Sequence, residues 1–396
     1  MVLGVSSRRS RSAFRFLLQA IALLPAGIVI AWALRADEAW FDHHVLPNYC
    51  PCARSTLLWE TVSRWGAVVA AIAWAALVRP KLVDWFGRPP SVAFLRGWVR
   101  VVAAVALALV VCDVYLRLKE PRRDLEHQAD LPPMRLDDSG NYVPIPSRMK
   151  EVRVGTRTVR YEINAEGNRA ASSVDAPDHD APTLLFTGES VALGYGVDYS
   201  QSYAARVGHA LGVQVVNLAL TGIANDEAYV RLRDALPTYS RPVGLVTFVV
   251  PLQLERNVDD RRQHLVVHDG RLEIVPPSRS WWATSPLRKL VLYHSDAAIE
   301  SARTIFLATD VLARTRKTRA LFVMTNYGAA CLPDESGTPR LERDLFSGLD
   351  LIHVRVDIPP DQRIGPPDGG HPNERGHELL ADAIVRTLQA HPIARP

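Results

Sequence analysis

Cysteine is scarce in this chain: four residues, Cys50, Cys52, Cys112 and Cys331, among 396. A fold held together by disulfides would need more of them in a shorter chain. Cys50-Pro51-Cys52 could bridge or hold a metal, but no His or Cys stands nearby at zinc-site spacing, so a disulfide or two ordinary thiols is expected. Neither state is given a functional role, and no metal or other cofactor is expected. A strong charge bias is also missing. The formal net charge is +4, and most of the bias comes from basic residues flanking apolar segments, which argues against nucleic acid as a partner. The chain shows no internal repeat and no low-complexity tract.

What it has instead is an uneven spread of apolar residues. The first 120 residues carry long stretches of Ala, Val, Leu, Ile and Trp, whereas charges and prolines interleave from about 121 onward. Phe16 to Leu34 is a run of 19 residues without a charge, behind Arg8, Arg9, Arg11 and Arg15. At about 1.5 Å per residue such a helix reaches across about 30 Å of hydrocarbon. A cleaved signal peptide is the alternative, with Ala31-Trp32-Ala33 as a small-x-small site. The length of the run, and the further apolar segments behind it, favour an uncleaved helix. Trp65 to Val78 has 14 uncharged residues and gains length through Leu57 to Trp59 if Glu60 and Arg64 pair at the interface. Val101 to Cys112 is shorter still. Trp59, Trp65, Trp98 and Tyr115 suit an interfacial belt, and flanking Lys and Arg can snorkel. Three transmembrane helices are therefore expected, with buried helices of a soluble bundle as the alternative for the second and third.

Lys and Arg set the orientation. The N-terminus is arginine-rich, and the connection between the second and third segments carries Arg79, Lys81, Arg88, Arg96 and Arg100 against Asp84. The connection before it carries Asp37, Glu38 and Asp42 instead. Positive charge stays cytoplasmic, so three spans, or the first alone, put everything after Leu116 outside the cytoplasm. Two spans would leave it inside; the charge pattern supports three. The expected division is a transmembrane region over 1–120, a linker over 121–150 dotted with Pro132, Pro133, Pro144 and Pro146, and a soluble domain over 151–396.

Within that domain short apolar runs alternate with helical spacing. Strands are expected at Thr183 to Thr187, Val213 to Leu220, Val243 to Val250, Ala320 to Thr325 and Leu351 to Val356. Helices are expected at Tyr203 to Leu211, Glu227 to Leu236, Ile305 to Ala313 and Glu374 to Leu388. This alternation predicts an α/β domain with a parallel sheet whose sites lie at the carboxyl ends of the strands. Four features fall there. Gly188-Glu189-Ser190 follows the first strand, where a serine entering a helix has backbone N–H groups beside it but needs a base to take its proton. Gly222 follows the second strand, where a missing side chain allows close approach. Pro251 to Asn257 follows the third. Asp368-Gly-Gly-His371-Pro372 precedes the last helix and supplies a histidine with a carboxylate upstream. Singly, such a serine is usually a helix cap and such an Asp-x-x-His a surface turn. Their order at successive strand ends is far more specific.

Together these blocks resemble the SGNH/GDSL hydrolase superfamily. GESVALGYGV at 188–197 resembles that family's GDS block with Glu189 for Asp. VVNLALTGIANDEAY at 215–229 resembles its asparagine-then-glycine block, and DGGHPNERGHELLADAI at 368–384 its Asp-x-x-His ending. YEINAEGNR at 161–169 is similar to a segment that often precedes the nucleophile in envelope members. The resemblance spans about 160 to 390. It implies a three-layer α/β/α fold in which Ser190 attacks an acyl carbonyl, His371 is general base and then acid, and Asp368 orients the imidazole. It also implies an oxyanion hole drawing on the backbone N–H groups of Ser190 and Gly222. One block departs. The family's Asn-Asp after the third strand is replaced by Val250-Pro251-Leu252-Gln253-Leu254-Glu255-Arg256-Asn257; Gln253 could supply a longer amide, or the site could work with two donors. His377 is the rival base, assigned by the resemblance to a packing position. His43, His44, His264, His268 and His294 show no ligand spacing.

The expected activity is esterase or acyltransferase chemistry on an envelope ester, such as an O-acylated glycan. The expected location is a multi-pass membrane protein with its C-terminal domain extracytoplasmic, periplasmic in a Gram-negative cell. Two alternatives stay open. One is a hydrolase fold that binds a glycan or partner without catalysis. The other is a membrane module that docks into a larger envelope complex.

Overall fold

Uncharged runs of membrane length have few ways to satisfy their backbone except as continuous helix, and the first part of the chain is built so. The computed structural model describes residues 4–36, 53–86, 99, 103, 106–115, 117–118, 132–137, 142–268, 271–285, 295–325, 337–365 and 370–391. Two compact units separate, one in Met1–Asp42 with Arg54–Leu118, the other in Lys119–Pro396 with His43–Ala53. In the first, a helix spans Gly4–Arg35, and a second, Ala53–Ala73, continues through a π-helical segment Trp74–Val78 into Arg79–Phe86. Phe16–Arg35 and Thr61–Lys81, with mean hydropathies of 2.2 and 1.5, are long and apolar enough to cross a membrane. Phe16, Leu24, Ile28, Trp65, Val69 and Leu77 point outward along them, consistent with a membrane anchor. Part of the expected third span, Val101 to Cys112, lies outside the described residues, and its described part belongs to the shorter apolar helix Ala106–Tyr115. Side chains tie the two long helices together, Arg64 Nε donating to Ala33 O and Trp74 Nε1 to Ala22 O, each at 2.9 Å.

The second unit is an α/β fold. In chain order its strands are β1 (Met134–Leu136), β2 (Tyr142–Pro144), β3 (Arg148–Val154), β4 (Arg157–Ile163), β5 (Arg169–Ala170) and β6 (Thr183–Thr187), followed by β7 (Gln214–Asn217), β8 (Pro242–Val249), β9 (His264–His268), β10 (Arg271–Val275), β11 (Ala320–Thr325) and β12 (Ile352–Val356). The main sheet runs β12-β11-β8-β6-β7-β5-β4-β3. The half from β12 to β7 is parallel, as expected, and contains all five strands expected from apolar runs. The half from β7 to β3 is antiparallel, which corrects the expectation of a wholly parallel sheet. Its strands escaped because β3 and β4 bury only alternate residues along much of their length; a half-solvated hairpin carries no continuous apolar run. Gly155, at φ 60°, makes the tight turn between them. The segment expected as linker also holds structure: β1 and β2 pair as a hairpin, and β3 starts at Arg148.

Strand alternation divides the apolar side chains between two faces. Leu184 and Phe186 of β6, Val246 and Phe248 of β8 and Leu321 and Val323 of β11 point to one core, with helices Tyr203–Leu211 and Glu374–Ala390. Leu185, Leu245, Val249, Phe322 and Met324 point to the other, with Asn225–Ala235, Ser295–Thr315 and Gly337–Phe346. Helices thus cover both faces, giving three layers.

Candidate active site

The site grows from the carboxyl end of β6. Gly188 has φ 138°, and a Cβ there would lie 2.8 Å from Phe248 Cβ and 2.9 Å from Phe248 O, so the chain can turn off the sheet here only as glycine. Ser190 then opens the short helix Ser190–Leu193, which ends at Gly194 in the left-handed region. Neighbouring chain fixes that turn. Asn217, fully buried at the end of β7, donates from Nδ2 to Ala192 O at 2.9 Å and accepts from Ala219 N–H at 3.1 Å. Leu220 N–H donates to Gly188 O at 3.2 Å, which sets the segment bearing Gly222 against the serine turn. Gly222 has φ 78°, and the Tyr142 ring lies against its open side, 3.3 Å from where a Cβ would be.

Arg169 holds the loop that follows Ser190. Its side chain is wholly buried, and Nη1 donates to Leu193 O and Gly194 O while Nη2 donates to Val197 O, all at 2.6 Å. The guanidinium sits 4.5 Å from the Tyr161 ring centroid. Burial lowers its pKa, offset in part by electrostatic attraction to Tyr161, Asp198 and Tyr199. This gives EGNR a physical task that its sequence alone did not disclose.

His371 arrives from the far end of the chain. Its carbonyl accepts from Ile364 N–H at 2.8 Å, and Arg363 and Pro372 form an antiparallel bridge. Asn373 caps the helix that follows, its Oδ1 accepting from Arg375 and Gly376 N–H. Gly376 packs so tightly that a Cβ would fall 2.6 Å from Gln362 O. The imidazole packs on Tyr195, ring centroids 4.6 Å apart. Its Nε2 lies 2.9 Å from Ser190 Oγ, across 181 residues of sequence. The hydroxyl and the imidazole nitrogen are thus within proton-transfer reach. Asp368 lies outside the described residues.

His377 is elsewhere. It is fully buried, its Nδ1 accepts from Tyr203 N–H at 3.3 Å, and its ring stacks on Tyr203. Burial pushes its pKa down to about 3, with Arg169, His371 and Arg206 adding to the effect. It is a neutral packing histidine. Gln253 is also fully buried: its Oε1 accepts from Val250 N–H at 3.0 Å and caps the helix Pro251–Arg256. Its Nε2 is sealed from solvent with no hydrogen-bond partner among the described residues.

Two contacts carried no expectation. Ser190 Oγ also lies 2.8 Å from Glu189 Oε1, and Arg256 Nη1 lies 3.2 Å from Glu189 Oε2. Beside Gly222, Ile223 helps line a cavity of about 160 Å³ together with Tyr142, Asp226, Glu227, His264 and Leu265. Asp226 is buried there and its pKa is pushed up to about 7, chiefly by desolvation and then by the Glu227 charge.

No family model and no curated protein matches the chain. Solved structures do. An acetyl xylan esterase, Est2A, from Butyrivibrio proteoclasticus is 10% identical, with 58% of this chain and 68% of that one covered at a TM-score of 0.32. A member of the lipolytic protein G-D-S-L family from Veillonella parvula is 14% identical over 52% of this chain and 98% of that one, TM-score 0.31. A carbohydrate acetylesterase family member from Sinorhizobium meliloti is 16% identical over 52% and 97%, TM-score 0.32. The chain is similar to these esterase and G-D-S-L structures.

Proposed function

We propose that this chain is a membrane-anchored serine esterase or O-acyltransferase of the SGNH/GDSL type, acting through Ser190 and His371. The observation that carries it is the 2.9 Å separation of Ser190 Oγ and His371 Nε2. A serine hydroxyl becomes a useful nucleophile only when a base takes its proton as the bond to carbon forms. Here a base would lie within reach, and the serine opens a short helical turn, the kind of place where backbone N–H groups can stabilise developing negative charge. Ser190 Oγ attacks the acyl carbonyl, its proton passes to His371 Nε2, and His371 returns that proton to the leaving alcohol. Water or a second hydroxyl then takes the acyl group. Asp368 is the proposed third member of the triad, orienting the imidazole. Ser190 and Gly222 N–H groups are the proposed oxyanion donors; Gln253 would join them only if its Nε2 opened toward the substrate.

The substrate is proposed to be an envelope ester, an O-acylated glycan foremost: the charge pattern of residues 1–120 favours an extracytoplasmic domain, which requires a third crossing through the segment that contains Ala106–Tyr115. The test is direct. The detergent-solubilised chain should react with a fluorophosphonate probe and hydrolyse short-chain aryl esters, and Ser190→Ala should do neither. A wild-type chain inert to both would favour the second reading, a glycan- or partner-binding protein without turnover. The missing Asn-Asp block is what motivates that alternative.

A further inference from the structure

Ser190 has one hydroxyl proton and two neighbours competing for it. Glu189 Oε1 is 2.8 Å away and His371 Nε2 is 2.9 Å away. An ionised carboxylate only accepts, so when Ser190 donates to Glu189 its contact with His371 must be one in which Nε2–H is the donor. The arrangement ready for attack is the other one, with the hydroxyl hydrogen turned to a bare Nε2. The heavy atoms already stand within reach of both, so the hydroxyl hydrogen has to turn and the proton on Nε2 has to leave the ring nitrogen, to solvent or to Nδ1 by a change of tautomer. Glu189 is almost fully enclosed, its side chain 3% exposed against 25% for Arg256. A carboxylate so placed beside a nucleophile would oppose the negative charge that grows on Oγ and on the carbonyl oxygen, unless a cation offsets it.

Arg256 is that cation. It stands at the last position of the helix Pro251–Arg256, the segment where the motif resemblance leads one to look for an amide donor. Gln253, one turn earlier, faces inward and caps the backbone. Arg256 faces the site. Its Nη1 lies 3.2 Å from Glu189 Oε2 and 3.4 Å from Ile223 O, so one guanidinium joins the serine turn to the Gly222–Ile223 segment.

We propose that Glu189 and Arg256 form an ionic clamp on the nucleophile, in which Glu189 holds the Ser190 hydroxyl at rest and Arg256 offsets the carboxylate charge as the hydroxyl turns to His371. Both are positioning residues: neither forms nor breaks a bond in the acyl transfer. The inference rests on the esterase reading above. On attack the Oγ–carbon bond forms, the carbonyl π pair moves to oxygen, and the Oγ proton passes to His371 Nε2, with Glu189 unchanged.

The test is a double-variant cycle on the full chain, read by fluorophosphonate labelling rate and by kcat and KM on an aryl ester. Arg256→Met leaves the carboxylate uncompensated and should slow labelling and kcat by roughly 10–100-fold, within the coupling range of neighbours in one charged network, with KM nearly unchanged. Arg256→Lys keeps the cation and should recover most of the rate; it also serves as the folded control. Glu189→Gln combined with Arg256→Met removes both charges and should be faster than Arg256→Met alone. A merely structural brace would not show that recovery, since the second substitution would only add damage. Labelling of Arg256→Met at the wild-type rate, or a double variant slower than Arg256→Met, overturns the clamp while leaving the esterase reading intact. An unlabelled, inactive wild type overturns both.

Discussion

Replacing Arg169 by Met keeps the length and apolar stem of the side chain and deletes its guanidinium. Three carbonyl oxygens, of Leu193, Gly194 and Val197, then lose donors at 2.6 Å in a fully buried place. Each bond to a charged donor contributes about 1.5–3 kcal/mol, and a stranded buried acceptor costs about 1–3 kcal/mol. The three are not additive, because the loop 193–197 can relax as one piece; about 4 kcal/mol is the expected loss, close to that for breaking a buried pair. For a unit of this size that corresponds to a drop of roughly 8–16 °C in melting temperature. The assay is thermal unfolding of the detergent-solubilised chain followed by circular dichroism, with urea unfolding alongside. Arg169→Lys should recover less than half of the loss, since a single ammonium cannot span carbonyls on both sides of the loop. Activity should fall further than the folded fraction explains, because Tyr195 in this loop packs on His371. A loss below about 1 kcal/mol, the cost of an ordinary neutral hydrogen bond, would refute the bracing role.

Ser190→Ala and His371→Ala should each remove nearly all ester turnover with folding intact, while His377→Ala should lower stability and spare the chemistry of the folded fraction; aryl ester kinetics beside melting curves separate these. Gln253→Ala should cost stability through the lost cap at Val250, and a drop of about 10²–10³ in kcat at unchanged KM would instead place its amide in the oxyanion hole. Asp226 has a folded pKa of about 7 against an ordinary value of 3.8. The native state therefore holds a proton that the unfolded chain releases, and stability should fall as pH rises from about 4 to about 7. The shift, net of the N–H bonds from Leu265 and Glu227 that work against it, amounts to about 4 kcal/mol, and Asp226→Asn should flatten that part of the pH profile. A topology reporter fused after Leu116 should read as exported and one fused near Arg88 as cytoplasmic; a cytoplasmic signal from the first would sink the envelope-substrate proposal.

Much of this architecture was written in local pattern. Three of the five parallel strands, β6, β8 and β11, are short apolar runs buried on both faces, and each carries its hydrophobicity without reference to its neighbours. Gly188 and Gly222 were singled out as glycines before their positive φ angles gave the reason. The long uncharged run from Phe16 became a helix of membrane-crossing length because local backbone bonding leaves it little else. Other features were invisible along the chain. The β3–β4 hairpin presents one face to solvent, so its apolar residues never form a run. The inward turn of Gln253 and the outward turn of Arg256 depend on which side of a six-residue helix meets the core, and so short a helix has too little periodicity to show it. The approach of His371 to Ser190 could be expected from block order but acquired a distance only through packing: 181 residues separate them, and the bridge at Arg363 and Pro372 and the close seat of Gly376 bring them to 2.9 Å. Composition and spacing determined the classes of element and the kinds of residue available for chemistry. That the Glu189 carboxylate turns onto the hydroxyl of its neighbour Ser190, and that Arg256 is the cation beside it, was decided by tertiary structure, because hydrogen bonds and ion pairs act over a few ångströms that only the packed chain defines.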